Sequence, residues 1–212
     1  MTEQRLSKRL RSETKDLHTA AERSGVMGML ARARLTRRGY VALLANLAEI
    51  YRALEAELSR HGDRPALAWL DLDALRRLER LEADVAAWHR ADDPCPVIAA
   101  TARDYAARLH RNGDECADLL VAHAYVRYLG DLSGGQILRP IVARMLGASD
   151  GRGLSFYDFP RISDAGAFKQ RFRKRLDAIH DSALCDRIVS EAKLGFALHE
   201  RLFKELEQTE QQ

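Results

Sequence analysis

The feature that most constrains this chain is an apolar repeat of three and four residues that runs almost from end to end with few breaks. Side chains at that spacing share one face of a 3.6-residue turn, whereas strands require alternation. Only 5 prolines and 13 glycines interrupt the chain, so long helices are available to it. Leu6, Leu10, Leu17 and Ala21 predict a first helix near 4–23. Thr36 is placed as the N-cap of a helix from Arg37 to about Arg60, striped by Leu43, Leu47, Ile50 and Leu54 and ended by His61–Gly62–Asp63. Leu67, Leu70, Leu75, Leu78, Leu81 and Val85 predict one or two helices over 66–90. Asp92–Asp93–Pro94–Cys95–Pro96 breaks the chain, and a helix over about 97–111 is expected to stop at Asn112–Gly113. From Asp114 to about Gly147 the pattern stays helical, although Gly130, Gly134 and Gly135 fall in its middle. Each glycine costs about 1 kcal/mol relative to alanine in a helix, so this one is expected to bend or loosen. Residues 148–163 read as irregular, and two more helices follow at about 164–178 and 182–208. The expected class is all-α, in a single domain over 1–212, with 1–4 and 208–212 frayed.

Charge and composition remove several function classes. The chain carries 34 basic and 31 acidic residues, a net charge of +3, mostly interleaved as in Arg76 to Glu82. That is not the clustered basic stripe of a nucleic-acid binder, so no nucleic-acid partner is expected. The densest cluster, Arg171 to Arg175, reads as a solvated helix face. Three widely spaced cysteines, Cys95, Cys116 and Cys185, with no C-x-x-C pair, argue against a disulfide framework or a zinc site and for a reducing cytoplasm. Cys95, between two prolines, reads as loop punctuation. No run approaches about 18 apolar residues and the N-terminus has no apolar leader region, so a soluble protein without a membrane anchor is expected. Paired Glu-x-x-His motifs, a P-loop, a dinucleotide fingerprint and a nucleophile elbow do not occur.

Two segments carry chemistry. The first is Thr14–Lys15–Asp16–Leu17–His18–Thr19–Ala20–Ala21–Glu22. A lone histidine on an amphipathic helix is ordinarily a surface or core residue. A neutral imidazole is also a standard axial ligand to haem iron, and Glu22, four residues on, shares its helical face and can accept the other ring N–H. The second runs from His123 through Tyr125, Arg127, Gly130, Asp131 and Gly134 to Gln136. Gly130 and Gly134 lie four apart on one face, where a missing Cβ marks either a helix break or a backbone that lies against a flat ligand. Asp131 by itself reads as a turn acid, and Arg127 as a surface ion-pair partner.

Together these segments closely resemble the haem oxygenase family. Thr36 to Leu58, Phe168–Lys169–Gln170 and Glu191–Ala192–Lys193 through Leu206 resemble it too, while 60–115 matches least. The resemblance implies an all-α domain with haem b, both cofactor and substrate, held between a proximal helix and a kinked glycine-rich distal helix. It implies cleavage of haem at a meso carbon, the α one, by O₂ and external electrons to biliverdin, CO and ferrous iron. It makes His18 the axial iron ligand, supported by Glu22. It makes Gly130 and Gly134 the steric wall that bends O₂ toward the ring. Asp131, Tyr51 and Arg127 become a water-holding network that stabilises a ferric hydroperoxide. Lys15, Arg11, Tyr125, Lys169 and Arg173 fall around the propionates, with Arg11 standing where many relatives have lysine. Phe196 and Phe203 become pocket walls. Val126 and His199 depart from the common threonine and asparagine, and His199 introduces a second histidine able to compete for iron. No flavin or nicotinamide motif is present, so a monomer is expected to take electrons from a ferredoxin or an NADPH-dependent flavoprotein reductase docked on its basic face. The alternative from the binding class is a haem carrier or sensor, which would need His18 but not Asp131 between two glycines. A helix-turn-helix regulator would need a basic recognition helix that the chain does not show, and an unrelated enzyme on the same architecture would need neither motif.

Overall fold

The computed structural model describes residues 5–210. The expected fraying at 1–4 and 211–212 lies outside those residues. The elements are α1 (Leu6–Glu13), α2 (Lys15–Arg23), α3 (Gly25–Ala31), α4 (Arg37–Arg60), α5 (Leu72–Leu75), α6 (Leu78–Trp88), α7 (Ala100–Cys116), α8 (Leu120–Leu146), α9 (Ala165–Leu176) and α10 (Ser182–Glu210). Single 3₁₀ turns lie at Ala117–Leu119 and Ser155–Tyr157. There is no strand among the described residues, and the all-α class stands.

α4 begins where its sequence says it should: the Thr36 side chain accepts from Gly39 N at 3.0 Å. Elsewhere the structure corrects the expected boundaries. The first helix divides at Thr14, which is buried and whose hydroxyl donates to Leu10 O at 2.6 Å. A threonine bonding back one turn competes with the ladder and bends a helix. α3 has no counterpart in the sequence reading, because two glycines in seven residues hide it.

α7 starts at Ala100 rather than 97 and runs through Asn112–Gly113 instead of stopping there. Both residues are buried. A Cβ on Gly113 would collide with the carboxylate of Glu57 on α4, so this glycine permits helix approach rather than ending a helix. α8 is helical across all three of its central glycines and ends on Gly147, whose φ of 70° is the left-handed C-terminal cap. α10 continues through 208–210, where fraying was expected; the Glu210 carboxylate accepts from Thr36 N at 2.9 Å and ties the two ends together.

α10 packs on α1, α2, α3, α4, α7 and α8, and α4 packs on α6, α7 and α8, so these two long helices organise the rest. Their inward stripes, Leu44, Ile50 and Leu54 on one and Ile188, Ala192 and Leu202 on the other, are sealed from solvent. Each such leucine or isoleucine contributes about 1.5–3 kcal/mol on burial.

The irregular stretch 148–163 is held by polar anchors rather than by pattern. Asp84 accepts from Ser155 N at 2.9 Å and Phe156 N at 2.7 Å. Arg77, 2% exposed, donates to the carbonyls of Leu75, Phe156 and Asp158 and lies 3.8 Å over the Phe159 ring. Burial lowers its pKa, opposed by nearby acidic groups. Trp88 Nε1 donates to Gly153 O at 2.8 Å, while Trp69 stands edge-on to Phe172 of α9 at 4.8 Å. The outcome is that Phe156 and Tyr157 face inward.

Gly25 supplies a test of this packing. Its φ is +46°, and a Cβ there would overlap the Phe203 carbonyl of α10, which is backbone and cannot swing away. Gly25→Ala is expected to lower stability in urea unfolding by at least about 3 kcal/mol. Gly62→Ala, where the nearest atom lies 3.4 Å from the added Cβ, should stay within about 0.5 kcal/mol of the parent.

Candidate functional site

α2, α3, α4, α8 and α10 leave a cavity between them of about 790 Å³, counted with its open mouth. Much of its wall is apolar: Met27 and Leu30 from α3, Leu43, Leu44 and Leu47 from α4, Phe196 and Phe203 from α10, and the anchored Phe156 and Tyr157. Into this wall are set His18 and Glu22 from α2, Arg127, Gly130, Asp131 and Gly134 from α8, and His199 from α10. Two segments far apart in sequence thus meet at one cavity.

His18 is not a core residue. Its side chain is 44% exposed, and its ring stands edge-on to Phe196 with centroids 5.3 Å apart. Nε2 lies 3.4 Å from the Glu22 carboxylate, as the four-residue spacing requires. The glycines on α8 are as informative. Neither Gly130 nor Gly134 has positive φ, and a Cβ on either would meet nothing within 4 Å. The protein's own packing therefore gives no reason for glycine at these positions, and each costs helix stability. What they preserve is space in the cavity. Gly195 differs: a Cβ there would come within 3.1 Å of Tyr105 Oη.

Behind the glycines lies a closed polar cluster. Arg127 Nη2 donates to Asp131 Oδ1 at 2.9 Å and its Nε to Tyr51 Oη at 3.2 Å, while the Tyr51 hydroxyl donates to the other Asp131 oxygen. Arg127 Nη1 donates to His199 Nε2 at 3.0 Å, and His199 Nδ1 donates to Gly195 O at 2.8 Å. Burial pushes the Asp131 carboxyl up, and Arg127 opposes it. Burial, reinforced by Asp131, raises the Tyr51 hydroxyl well above its ordinary value, so it stays a donor. Burial and then the Arg127 charge hold His199 well below the ordinary histidine value. Tyr51 does not itself line the cavity; it holds Asp131 from behind.

The cations of the expected propionate set gather less completely. Lys169 donates to Ser133 Oγ at 3.1 Å, next to the cavity-lining stretch of α8. Burial raises the Tyr125 hydroxyl, opposed by a hydrogen bond with Thr14 and by the charges of Arg173 and Arg11, so α1, α8 and α9 converge there. Arg11, Lys15 and Arg173 are exposed and make no ion pair with another described residue. None of these five side chains lines the cavity. Cys95 is exposed and lies in a different groove, with Thr36, His89 and Val97.

Sequence reasoning missed a second network. Glu191, 4% exposed, accepts from Arg108 Nε at 2.9 Å and Asn112 Nδ2 at 2.8 Å and contacts His123 Nε2 at 2.9 Å; His123 Nδ1 meets Tyr105 Oη at 2.9 Å. Its one signal was an acid on the inward stripe of α10, between Ile188 and Gly195. Burial would raise this carboxyl, but hydrogen bonds from Arg108, His123 and Asn112 outweigh it and hold it well below the usual range.

A sequence model of the Heme oxygenase family matches residues 4–205. Curated relatives include Heme oxygenase 1 of Homo sapiens, 41% identical over 97% of this chain and 73% of the relative, and Heme oxygenase 1 of Nostoc sp., 37% identical over 95% and 86%. Among solved structures, heme oxygenase-1 from Synechocystis sp. in complex with heme superposes with a TM-score of 0.90 at 35% identity, covering 98% of this chain and 94% of that one. Heme oxygenase from Leptospira interrogans superposes at 0.89 with 34% identity, covering 95% and 100%.

The Glu191 network carries a pH signature. A carboxylate held below its unfolded value near 4.3 adds stability that is full above that pH and is lost progressively as pH falls toward the folded value. Glu191→Gln should lose about 2 kcal/mol at pH 7 in denaturant titration, and the gap to the parent should narrow as pH drops below about 4. A gap constant with pH would contradict the charged network.

Proposed function

The chain belongs to the haem oxygenase family and is a haem-degrading enzyme, and on that premise we propose that it opens haem b at the α meso carbon to biliverdin, CO and ferrous iron. The observation that carries this reading is Gly130 and Gly134: a cavity wall kept free of side chains for which the fold itself has no use. Haem, when bound, supplies both the iron that activates O₂ and the carbon that is attacked.

His18 would hold the haem iron through its imidazole, whose orientation Glu22 and Phe196 support. The α8 face at Gly130 and Gly134, bare of side chains, would let a flat ring approach the helix backbone and would restrict the room left for O₂. Asp131, its oxygens engaged by Arg127 and Tyr51, would orient water at the cavity and supply the polar contact through which a proton is delivered. Lys15, Arg11, Lys169, Arg173 and Tyr125 would take the propionates, the arginines being suited to two-pronged pairing with a carboxylate. The whole chain acts as a single cytoplasmic domain, a monomer, and its electrons come from a ferredoxin or an NADPH-dependent flavoprotein reductase.

Hemin added to the purified protein should give a histidine-type Soret band. With ferredoxin and its reductase, O₂ and catalase present, that band should bleach as a biliverdin band grows, and chromatography of the product identifies the isomer. His18→Ala should lose the histidine-type spectrum. Asp131→Ala should bind haem normally but form biliverdin about a hundredfold more slowly. A Soret band that persists through turnover would instead make the protein a haem carrier.

Gly134 separates fold from function. Gly134→Leu should leave the haem-free protein as stable or about 0.5–1 kcal/mol more stable in thermal unfolding. Its side chain enters the cavity and should weaken haem binding by about tenfold or more in Soret titration. A variant that binds haem as the parent does would remove the main support for the glycine wall.

A further inference from the structure

His199 faces the cavity from α10 with both ring nitrogens engaged. The Gly195 carbonyl can only accept, so Nδ1 carries the hydrogen. A guanidinium can only donate, so Nε2 offers its lone pair to Arg127. The two contacts together leave a single neutral tautomer. The groups packed against the ring agree with this. From α8 come Arg127 and His123, from α7 comes Tyr105 edge-on at 5.0 Å, and from α10 come Phe203 at 5.7 Å and the Gly195 carbonyl. None of these is a carboxylate that would favour a second proton.

Arg127 has one acceptor on each of its three nitrogens: Tyr51, Asp131 and His199. A planar cation bonded on three sides cannot turn in its plane. Tyr51 and Asp131 belong to the group that Arg127 itself orients, so the contact from outside that group is His199.

We propose that His199 is a positioning residue, which as a neutral hydrogen-bond acceptor fixes the Arg127 guanidinium and through it holds the Asp131 carboxylate at the cavity. Its lone pair is spent on Arg127 and is not available to an iron atom, which answers the competition a second pocket histidine would otherwise create. The role in turnover rests on the haem oxygenase reading; the tautomer does not.

Two measurements test it. Long-range ¹⁵N–¹H spectra of the haem-free protein should show His199 protonated at Nδ1 only, unchanged from about pH 6 to 9. A ring protonated at Nε2, or at both nitrogens, would overturn the proposal without any variant. Then His199→Phe, which keeps a ring against Tyr105 and Phe203 but accepts nothing, should still give a histidine-type Soret band with hemin. Its kcat should fall by about 10- to 100-fold with little change in KM for the reductant. His199→Gln, whose amide oxygen reaches near the Nε2 position, should restore most of the loss. Parental turnover by the phenylalanine variant, or a glutamine variant as slow as it, would overturn the proposal. Failure of the parent protein to bind haem would defeat the oxygenase reading, and the turnover role with it, while the tautomer still decides the Arg127 contact.

Discussion

A guanidinium buried in an apolar bundle is costly unless every side of it is hydrogen-bonded. Arg127 meets that condition with Tyr51 from α4, Asp131 from its own α8 and His199 from α10. These are the three longest helices of the fold. The contact that makes burial of the charge tolerable therefore also sets how the three pack, and it leaves the Asp131 carboxylate at the cavity. Site geometry and core geometry are here the same requirement. The surrounding chain supplies what one cation cannot: apolar walls from α3 and α4, and the 155–157 turn held inward by Asp84 and Arg77.

How much of this was legible in the sequence follows from the range of the interactions involved. α4 was readable to the residue, since its cap, its stripe and its stop are all local. The break at Thr14 was not, because an apolar repeat continues across it while a single hydroxyl bonds back to Leu10. Asn112–Gly113 misled for the opposite reason. Asparagine and glycine ordinarily end helices, but here one is a buried donor to Glu191 and the other clears Glu57 on a neighbouring helix. No local rule distinguishes those uses.

The site divides along the same line. His18 with Glu22, and Gly130 with Gly134, were visible because their meaning lies in four-residue spacing and in the family resemblance. The glycines gained a physical explanation only from the structure, which shows that no described residue crowds them. Glu191 finds Arg108 and Asn112 at separations of 83 and 79 positions, and single-sequence reasoning has no access to such partners. The propionate cations are a third case: the sequence named them, and the structure gathers Arg11, Arg173 and Lys169 near α8 without an ion-pair partner among the described residues.

The chain has only two tryptophans, and their positions have an optical consequence. Trp88 is clasped to Gly153, in the irregular stretch that delivers Phe156 and Tyr157 to the cavity. Trp69 is braced against Phe172 on α9, the helix that carries Lys169 and Arg173. The protein's tryptophan emission thus comes from two places, one attached to the 148–163 stretch and one to α9. Replacing one indole leaves the other as the single tryptophan, so the ordering of the turn and the settling of α9 can be watched separately, in real time and without a label, as haem is added.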